Sequence, residues 1–179
     1  MPNVLIIDIE TTGFRPGRDK IVEIGIVSLD LLTGNIEILF SEFIREAGLT
    51  KGEFERSWIC QNNYINWSQI KNAKVLEFHF EQIQYIIDRN NLGVTAYNKD
   101  FDLRFLRNRG FNIPKELRCP MKLATPIVNA TGKRGRKYPT AEEAYRYFYE
   151  KDYNELHRGA DDAYHEAKVV YALYKMGKF

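Results

Sequence analysis

The sequence predicts an α/β fold in which a mixed β-sheet is flanked by helices, and three observations lead to this prediction. Three strand-like runs of β-branched and large aliphatic residues open the chain within 3–9, 20–29 and 35–44. Helical patterns then alternate with one short strand-like run at 92–97. A long helix-like stretch at 159–175 follows at the end. Strands first, and then helices alternating with a strand, are typical of a sheet covered by helices.

The first half of the chain carries the three strands of this predicted sheet. Residues 3–9, NVLIIDI, form the short continuous apolar run of a buried strand, which Thr-Thr-Gly ends. The turn signal Thr33-Gly34-Asn35 separates the second strand from the third, so these two are predicted to be antiparallel neighbours. Residues 45–75 mix polar and apolar residues without a clear period, and we expect loop with short helical pieces there.

Apolar residues at helical spacing and helix-end signals predict the remaining elements. Gly110 is placed to end one helix, because glycine readily adopts the left-handed conformation of a C-terminal cap. Thr140 and Glu143 form a capping box that begins another helix. The predicted helices cover 75–89, 100–109, 121–129, 141–150 and 159–175.

Size, composition and charge place the chain among ordinary globular proteins. With 179 residues it is predicted to form a single domain over 1–179, since a domain has roughly 150 residues. The net charge of +2 and the pI near 8.4 permit nucleic-acid binding without indicating it, because the usual cue is a domain pI above about 9. Cys60 and Cys119 lie outside any metal-ligand spacing. With no membrane-spanning or signal-like stretch, we expect a cytoplasmic protein with reduced thiols and no membrane partner.

Two carboxylates stand at the end of the first predicted strand. Asp8 and Glu10 are two residues apart, so they lie on the same face of the strand. Their mutual repulsion and burial are costly unless a cation is bound, and carboxylate oxygens suit Mg²⁺ or Mn²⁺. The alternative is two exposed acids that bind nothing, which an isolated D-x-E pattern does not exclude.

Two further acidic groups follow at helix N-termini. Asp102 comes just after the strand-like run at 92–97, where α/β proteins place their sites. Asp162 lies in the first turn of the last helix, and His157 precedes it in a loop. Such acids also occur at helix N-termini because they favour the helix dipole by about 0.3–1 kcal/mol. Asp161 competes with Asp162, since the helical phase is not fixed by the sequence.

The joint pattern resembles a known enzyme family, the DEDDh 3′–5′ exonucleases. Asp8-Ile9-Glu10-Thr11-Thr12-Gly13 is similar to the first motif of that family. Asn98 through Asp102 resembles its second motif, and His157 through Asp162 its third. The resemblance spans residues 4 to about 170 and implies an RNase H-like fold with a mixed five-stranded sheet.

The resemblance also implies a chemistry and a role for each residue. Members hydrolyse phosphodiester bonds from the 3′ end with two divalent cations, Mg²⁺ or Mn²⁺, and release nucleoside 5′-monophosphates. By analogy Asp8 would bridge both ions, Glu10 and Asp162 would hold the ion of the nucleophilic water, and Asp102 would support the other. His157 would be the general base, for which an ordinary histidine pKa of about 6.5 is suitable.

Residues near these motifs are candidates for binding nucleic acid. Thr11, Thr12 and Asn98 belong to the first two motifs and are expected to contact substrate. Phe14 and Phe101 flank the carboxylates, and either could stack on a base or pack in the core; the core interpretation is favoured for Phe101. Two groups of basic residues are candidates for binding phosphates, the first more so than the second: Arg15, Arg18 and Lys20, and Lys133, Arg134, Arg136 and Lys137.

The sequence departs from the family in two places. Tyr97 stands where many relatives have His, which alters a substrate contact rather than a metal ligand. Residues 45–75 match the family only loosely, so no substrate contact is transferred to them.

The resulting hypothesis is a metal-dependent 3′–5′ exonuclease acting on 3′ ends of single-stranded nucleic acid, with DNA favoured over RNA. The alternatives are an exoribonuclease similar to RNase T or oligoribonuclease, and a non-catalytic nucleic-acid-binding or polymerase-partner module. A catalytically dead copy has no need for four acids that repel one another, which disfavours the binding module.

Overall fold

A five-stranded mixed β-sheet forms the centre of the computed structural model, which describes residues 2–90 and 92–179. The strand order is β4-β3-β2-β1-β5. β1, β2 and β3 are antiparallel neighbours, whereas β5 is parallel to β1 and β4 is parallel to β3. The predicted five-stranded α/β fold is therefore confirmed. The strands are β1 (Asn3–Thr11), β2 (Ile21–Asp30), β3 (Ile36–Arg45), β4 (Lys74–Val75) and β5 (Gly93–Thr95).

Eight helices occur in the described part of the chain, and they cover both faces of the sheet. Three short helices occupy the segment that was predicted as loop with helical pieces, and five longer helices match the predicted ones to within one or two residues. The helices are α1 (Lys51–Glu55), α2 (Trp58–Gln61), α3 (Trp67–Asn72), α4 (Leu76–Arg89), α5 (Lys99–Asn108), α6 (Pro120–Val128), α7 (Ala141–Tyr149) and α8 (Gly159–Lys175).

Alternation along β1 divides its side chains between two cores. Leu5, Ile7 and Ile9 pack on one face with buried residues of α4 and α5. Val4 and Ile6 pack on the other face, against the small residues of α8. Side chains two apart share a face of a strand, so Asp8 and Glu10 continue the face that α8 covers.

Two glycines allow α8 to begin directly on the sheet. A Cβ on Gly25 of β2 would lie 2.0 Å from the carbonyl carbon of Gly159, and a Cβ on Gly159 would lie 2.7 Å from the Gly25 nitrogen. Gly25 is the cross-strand partner of Asp8. This backbone contact therefore places the first turn of α8 beside the acidic end of β1.

One predicted element is shorter in the structure. The strand predicted at 92–97 is confined to Gly93–Thr95, because the Tyr97 N–H already donates to Glu166 on α8 and not to a strand. The second basic group, for which no element was predicted, lies on a small β-hairpin that consists of β6 (Thr131–Gly132) and β7 (Gly135–Arg136). None of the described helices combines the length and the apolar character that crossing a bilayer requires.

Candidate active site

The three motif segments meet in one cavity of about 190 Å³ at the end of β1. All five residues that the motifs singled out as acids or base line this cavity. The clustering follows from the fold: β1 supplies two of them, the β5–α5 junction one, and the start of α8 the others. The lining residues are Asp8, Ile9, Glu10, Tyr97, Asn98, Phe101, Asp102, Glu155, His157, Asp162 and Glu166.

Asp102 is fixed against β1 from the side of α5. The Ile9 N–H, which lies between the two carboxylates of β1, donates to Asp102 Oδ1 at 3.3 Å. The Asp102 side chain is buried, and its residue is only 5% exposed. A helix-dipole role alone does not require such burial, so this position differs from that of an ordinary first-turn acid. Asp100, by contrast, is exposed and pairs with Lys122.

The structure distinguishes the two adjacent acids of α8. Asp162 is buried and accepts hydrogen bonds from the Arg158 N–H at 2.8 Å, the Leu156 N–H at 3.3 Å and the Tyr153 hydroxyl. Asp161 lies outside the cavity and has His165 within 3.5 Å. Asp162, the residue predicted for the site, is thus the one that faces the cavity.

His157 leans over the cavity from the loop before α8. Its backbone is left-handed at φ +50°, and its Nδ1 lies 3.5 Å from Glu10 Oε1. Trp58 and Tyr64 enclose the imidazole with ring centroids 4.9 and 4.2 Å away, and they stack on each other at 5.3 Å. Both aromatics come from the segment 45–75, to which the family motifs assigned no contact.

The donor atoms in the cavity fit a divalent cation. Asp8 Oδ2 is buried, and no hydrogen-bond partner lies near it in the described part of the chain. Donor atoms of Glu10, His157 and Asp162 all lie within 4.8 Å of one another. An unpartnered buried carboxylate oxygen is costly unless a cation binds it, and hard oxygen donors are the ligands that Mg²⁺ and Mn²⁺ prefer.

The pKa values of these acids also indicate that the cavity lacks positive charge. Burial raises the pKa of Asp8 well above its ordinary value, and the nearby carboxylates, Glu166 first, raise it further. Burial raises the pKa of Asp102 to about 8. The pKa values of Glu10 and Asp162 are also raised by burial, although His157 and the Tyr153 hydroxyl oppose the shifts. The hydrogen bond to Glu10 in turn raises the pKa of His157.

Three additional carboxylates near the site were missed by the sequence reasoning. Glu166 is buried one helical turn after Asp162, and Glu155 lies two residues before His157; both line the cavity. Glu23 is the cross-strand partner of Glu10 and pairs with Arg158 at 3.1 Å. Burial raises the pKa of Glu23 and of Glu155 to about 7. The sequence contained two signals for these residues: the i, i+4 spacing of Glu166 from Asp162, and the charge of Glu23 inside an apolar strand.

A second cavity of about 370 Å³ adjoins the first and collects most of the predicted substrate residues. Phe14 is 83% exposed, and its ring meets Phe101 edge-on at 6.2 Å. Phe101 also packs on Phe105, so it belongs to both the core and the site. Asn98 lines only the acidic cavity. The second cavity is lined by Ile9, Glu10, Thr11, Thr12, Gly13, Phe14, Trp58, Phe101 and His157.

Two cations of the first basic group, a predicted candidate for binding phosphates, have partners within the protein. Arg18 is paired with Asp19 at 2.7 Å, and Lys20 donates to the Ala47 carbonyl at 3.0 Å. The Lys20 N–H donates to the Thr12 hydroxyl, so Thr12 helps to close the same loop. Arg18 thus neutralises the buried Asp19 carboxylate, whereas Lys20 is held against the segment that follows β3.

Comparison with a family model covers nearly the whole chain. The model described as Exonuclease matches residues 5–170. This range begins in β1 and ends in α8, so it contains every residue of the acidic cavity.

A relative of known name agrees with this match. DNA polymerase III PolC-type of Clostridium perfringens (strain 13 / Type A) is 25% identical over 178 residues, which is 97% of this chain and 11% of that protein. The chain thus spans about a tenth of the length of this relative.

Two solved structures show the same fold. The nuclease domain of 3′hExo, a DEDDh family member bound to rAMP, has a TM-score of 0.73 at 18% identity, over 99% of this chain and 94% of that one. E. coli Exonuclease I in complex with a dA16 oligonucleotide has a TM-score of 0.69 at 15% identity, over 98% of this chain and 41% of that one.

Proposed function

Because this chain belongs to the Exonuclease family, we propose that it hydrolyses single-stranded nucleic acid from the 3′ end and that its preferred substrate is DNA. The observation that carries the proposal is the convergence of Asp8, Glu10, Asp102, His157 and Asp162 on one cavity. Burying four carboxylates that repel one another is costly unless a cation binds between them. We treat residues 1–179 as one exonuclease domain in this proposal.

Divalent cations fit this cavity, and we propose that two of them, Mg²⁺ or Mn²⁺, bind there. Asp8, Glu10, Asp102 and Asp162 are the residues that would hold them. When bound, these ions supply positive charge that stabilises the charge developing on the phosphate during hydrolysis. The residues of the chain are responsible for positioning the strand and moving the proton.

His157 is the proposed general base. Its imidazole lines the acidic cavity, where it could take a proton from a water molecule that attacks the terminal phosphodiester. Trp58 and Tyr64 contact the ring edge-on, and these contacts limit its rotation despite its position in a loop. A His must be neutral to accept a proton, and hydrolysis is therefore expected to increase with pH up to the His157 pKa.

The adjoining apolar cavity is the proposed binding site for the terminal base. Phe14 and Trp58 are 83% and 53% exposed, so both present ring surface on which a base can stack. Stacking on an aromatic ring contributes about 1–3 kcal/mol per base and requires an unpaired base, which favours single-stranded ends. Thr11 and Thr12 line the same cavity.

Two observations favour DNA as the substrate. One relative is itself a DNA polymerase, and the first motif has the Thr-Thr form. RNA is the second candidate, since one structure of the same fold holds a ribonucleotide. We propose no particular polymerase or repair partner. A cytoplasmic location stays a prediction from the two free cysteines.

The test uses 5′-labelled single-stranded DNA and RNA oligonucleotides of the same sequence. Each is incubated with Mg²⁺ or Mn²⁺, and parallel reactions contain EDTA. Asp162→Ala is compared with Asp161→Ala, which removes the neighbouring carboxylate outside the cavity. We expect a ladder that shortens from the 3′ end, is lost with EDTA and with Asp162→Ala, and persists with Asp161→Ala.

The relative rates on the two strands decide between the DNA and RNA candidates. Equal activity of the Asp161 and Asp162 variants would contradict the assigned site. Absence of cleavage and of cation binding in the wild-type protein would leave a nucleic-acid-binding module on an exonuclease fold.

A further inference from the structure

A compact cluster of positive charge lies on the hairpin between α6 and α7. β6 and β7 pair through Thr131 with Arg136 and through Gly132 with Gly135, and Lys133 and Arg134 form the tip. We call residues 131–137 the basic hairpin. It carries four cations in seven residues and no acid: Lys133, Arg134, Arg136 and Lys137.

Three of these cations have no anionic partner within the described part of the chain. Lys137 pairs with Glu143 of α7 at 2.8 Å, whereas Lys133, Arg134 and Arg136 are exposed and form no ion pair with any described residue. This contrasts with Arg18, whose charge is used to neutralise Asp19. Like charges held together on a short hairpin repel one another, so the arrangement favours an external anion.

Two contacts hold the segment that follows the basic hairpin, 139–142, beside the acidic cavity. The Tyr97 hydroxyl lies 3.0 Å from the Pro139 carbonyl oxygen and 2.9 Å from that of Thr140, just after the hairpin. In the first turn of α7, Glu142 accepts a hydrogen bond from the Glu155 N–H at 3.0 Å. Tyr97 and Glu155 both line the acidic cavity. The segment into which the hairpin leads is therefore anchored to two parts of the cavity wall.

We propose that the basic hairpin binds the phosphate backbone of the single strand whose 3′ end enters the acidic cavity. This inference rests on the proposed function. The cavity is rich in carboxylates and by itself repels a polyanion, so a cationic surface next to it supplies the attraction that the cavity lacks. Exposed Lys and Arg contact phosphates regardless of sequence, and Tyr138, which is 57% exposed at the end of the hairpin, offers a ring to a neighbouring base.

The test compares two double variants with the same change in charge. Arg134→Ala/Arg136→Ala removes cations that have no partner in the fold. Lys175→Ala/Lys178→Ala removes exposed cations at the end of α8 remote from Asp162. Arg134→Lys/Arg136→Lys keeps the charge and serves as the rescue variant.

Binding is measured by fluorescence anisotropy in EDTA, with labelled single-stranded DNA and RNA over a range of salt concentrations. We expect Arg134→Ala/Arg136→Ala to weaken binding of both strands about tenfold at low salt and to reduce the log–log salt slope by about 1.4, or about 0.7 for each lost phosphate contact. The α8 control and the lysine rescue variant keep the wild-type slope.

Hydrolysis of the p-nitrophenyl ester of thymidine 5′-monophosphate is the second measurement, because this substrate has no upstream phosphate. We expect the hairpin variant to hydrolyse it at the wild-type rate. Unchanged strand affinity and salt slope would overturn the proposal, and so would a loss confined to DNA or to RNA, since the two share the phosphate backbone. Weaker binding by the hairpin variant, together with no hydrolysis by any variant, would support the hairpin site while refuting the nuclease function.

Discussion

Two groups of buried acids lie at the same end of the sheet, and they differ in how their charge is neutralised. Glu46, just after β3, receives the Arg109 guanidinium through both carboxylate oxygens, at 2.8 and 3.0 Å, and also the Ile21 N–H at 3.0 Å. Arg109 additionally donates to the carbonyl oxygens of Pro16 and Asp19. In the acidic cavity, by contrast, Asp8 Oδ2 has no partner among the described residues.

The difference separates acids that support the fold from acids that await a ligand. A buried carboxylate with a bidentate arginine is satisfied by the protein itself. The carboxylates of the cavity raise one another's pKa values, as Glu166, Glu10, Asp102 and Asp162 do for Asp8. Such an arrangement opposes folding of the metal-free chain and therefore indicates a functional rather than a structural cause.

The sharpest test of this distinction is Asp8→Asn. We expect hydrolysis of labelled single-stranded DNA to fall by about 10⁴-fold or more, which is typical of removing one member of a catalytic unit. We also expect the melting temperature in EDTA at neutral pH to rise, because the amide brings no charge into the cavity. Activity and thermal melting are measured on the same preparation.

A structural role for Asp8 predicts a different result. Loss of activity accompanied by a lower melting temperature in EDTA would mean that the Asp8 carboxylate supports the fold, and the contrast between the two groups of acids would then fail.

The converse test is Arg109→Met. Breaking one side of a buried ion pair costs about 3–5 kcal/mol, because the remaining charge stays buried without its partner. We expect the free energy of unfolding in urea to fall by about 3 kcal/mol, at the lower end of that range, since Lys20 Nζ lies 3.9 Å from Glu46. The rate of hydrolysis per folded molecule should stay near that of the wild type.

Arg107→Met is the matched control for this prediction. Arg107 lies two residues earlier, in α5, and pairs with Glu116 at the surface. Exposed pairs contribute about 0–1 kcal/mol, so the control should change the unfolding free energy little. Equal losses in the two variants would contradict a special role for the Arg109–Glu46 pair.

The sequence could predict that the carboxylates of the proposed site lie together, because their positions follow from periodicity and order. Asp8 and Glu10 share a strand face, and the resemblance to the DEDDh exonucleases, now confirmed at the family level, brought in Asp102, His157 and Asp162. The α/β fold and its five main helices were predicted on similar grounds.

Contacts between distant segments were beyond the reach of the sequence. The roles of Trp58 and Tyr64 depend on three short helices that have no apolar period, so nothing in residues 45–75 indicated a contact with His157. The pairing of Arg18 with Asp19 was missed because a run of charges does not show which of them are satisfied. Gly25 and Gly159 meet only through the fold, although their meeting sets the position of α8.

The smallest expected effect concerns pH and cations. The folded-state pKa is about 8 for Asp102 and about 7 for Glu23 and Glu155, all above the ordinary values of these acids. Between about pH 5 and about pH 8 the folded protein therefore holds protons that the unfolded chain has released, and its stability falls as the pH rises. His157, with its raised pKa, contributes with the same sign.

We therefore expect the melting temperature in EDTA to fall by several degrees from about pH 6 to about pH 8, since about 1 kcal/mol corresponds to about 2–4 °C at this chain length. Mn²⁺ or Mg²⁺ binds the ionised carboxylates and should raise the melting temperature more at the higher pH. In Asp8→Asn this cation effect should shrink, whereas in Arg107→Met it should persist. A melting temperature that changes with pH equally in EDTA and in Mn²⁺ would mean that the carboxylates of the cavity do not bind the cation, because the charge that destabilises the metal-free fold is the same charge that a cation would neutralise.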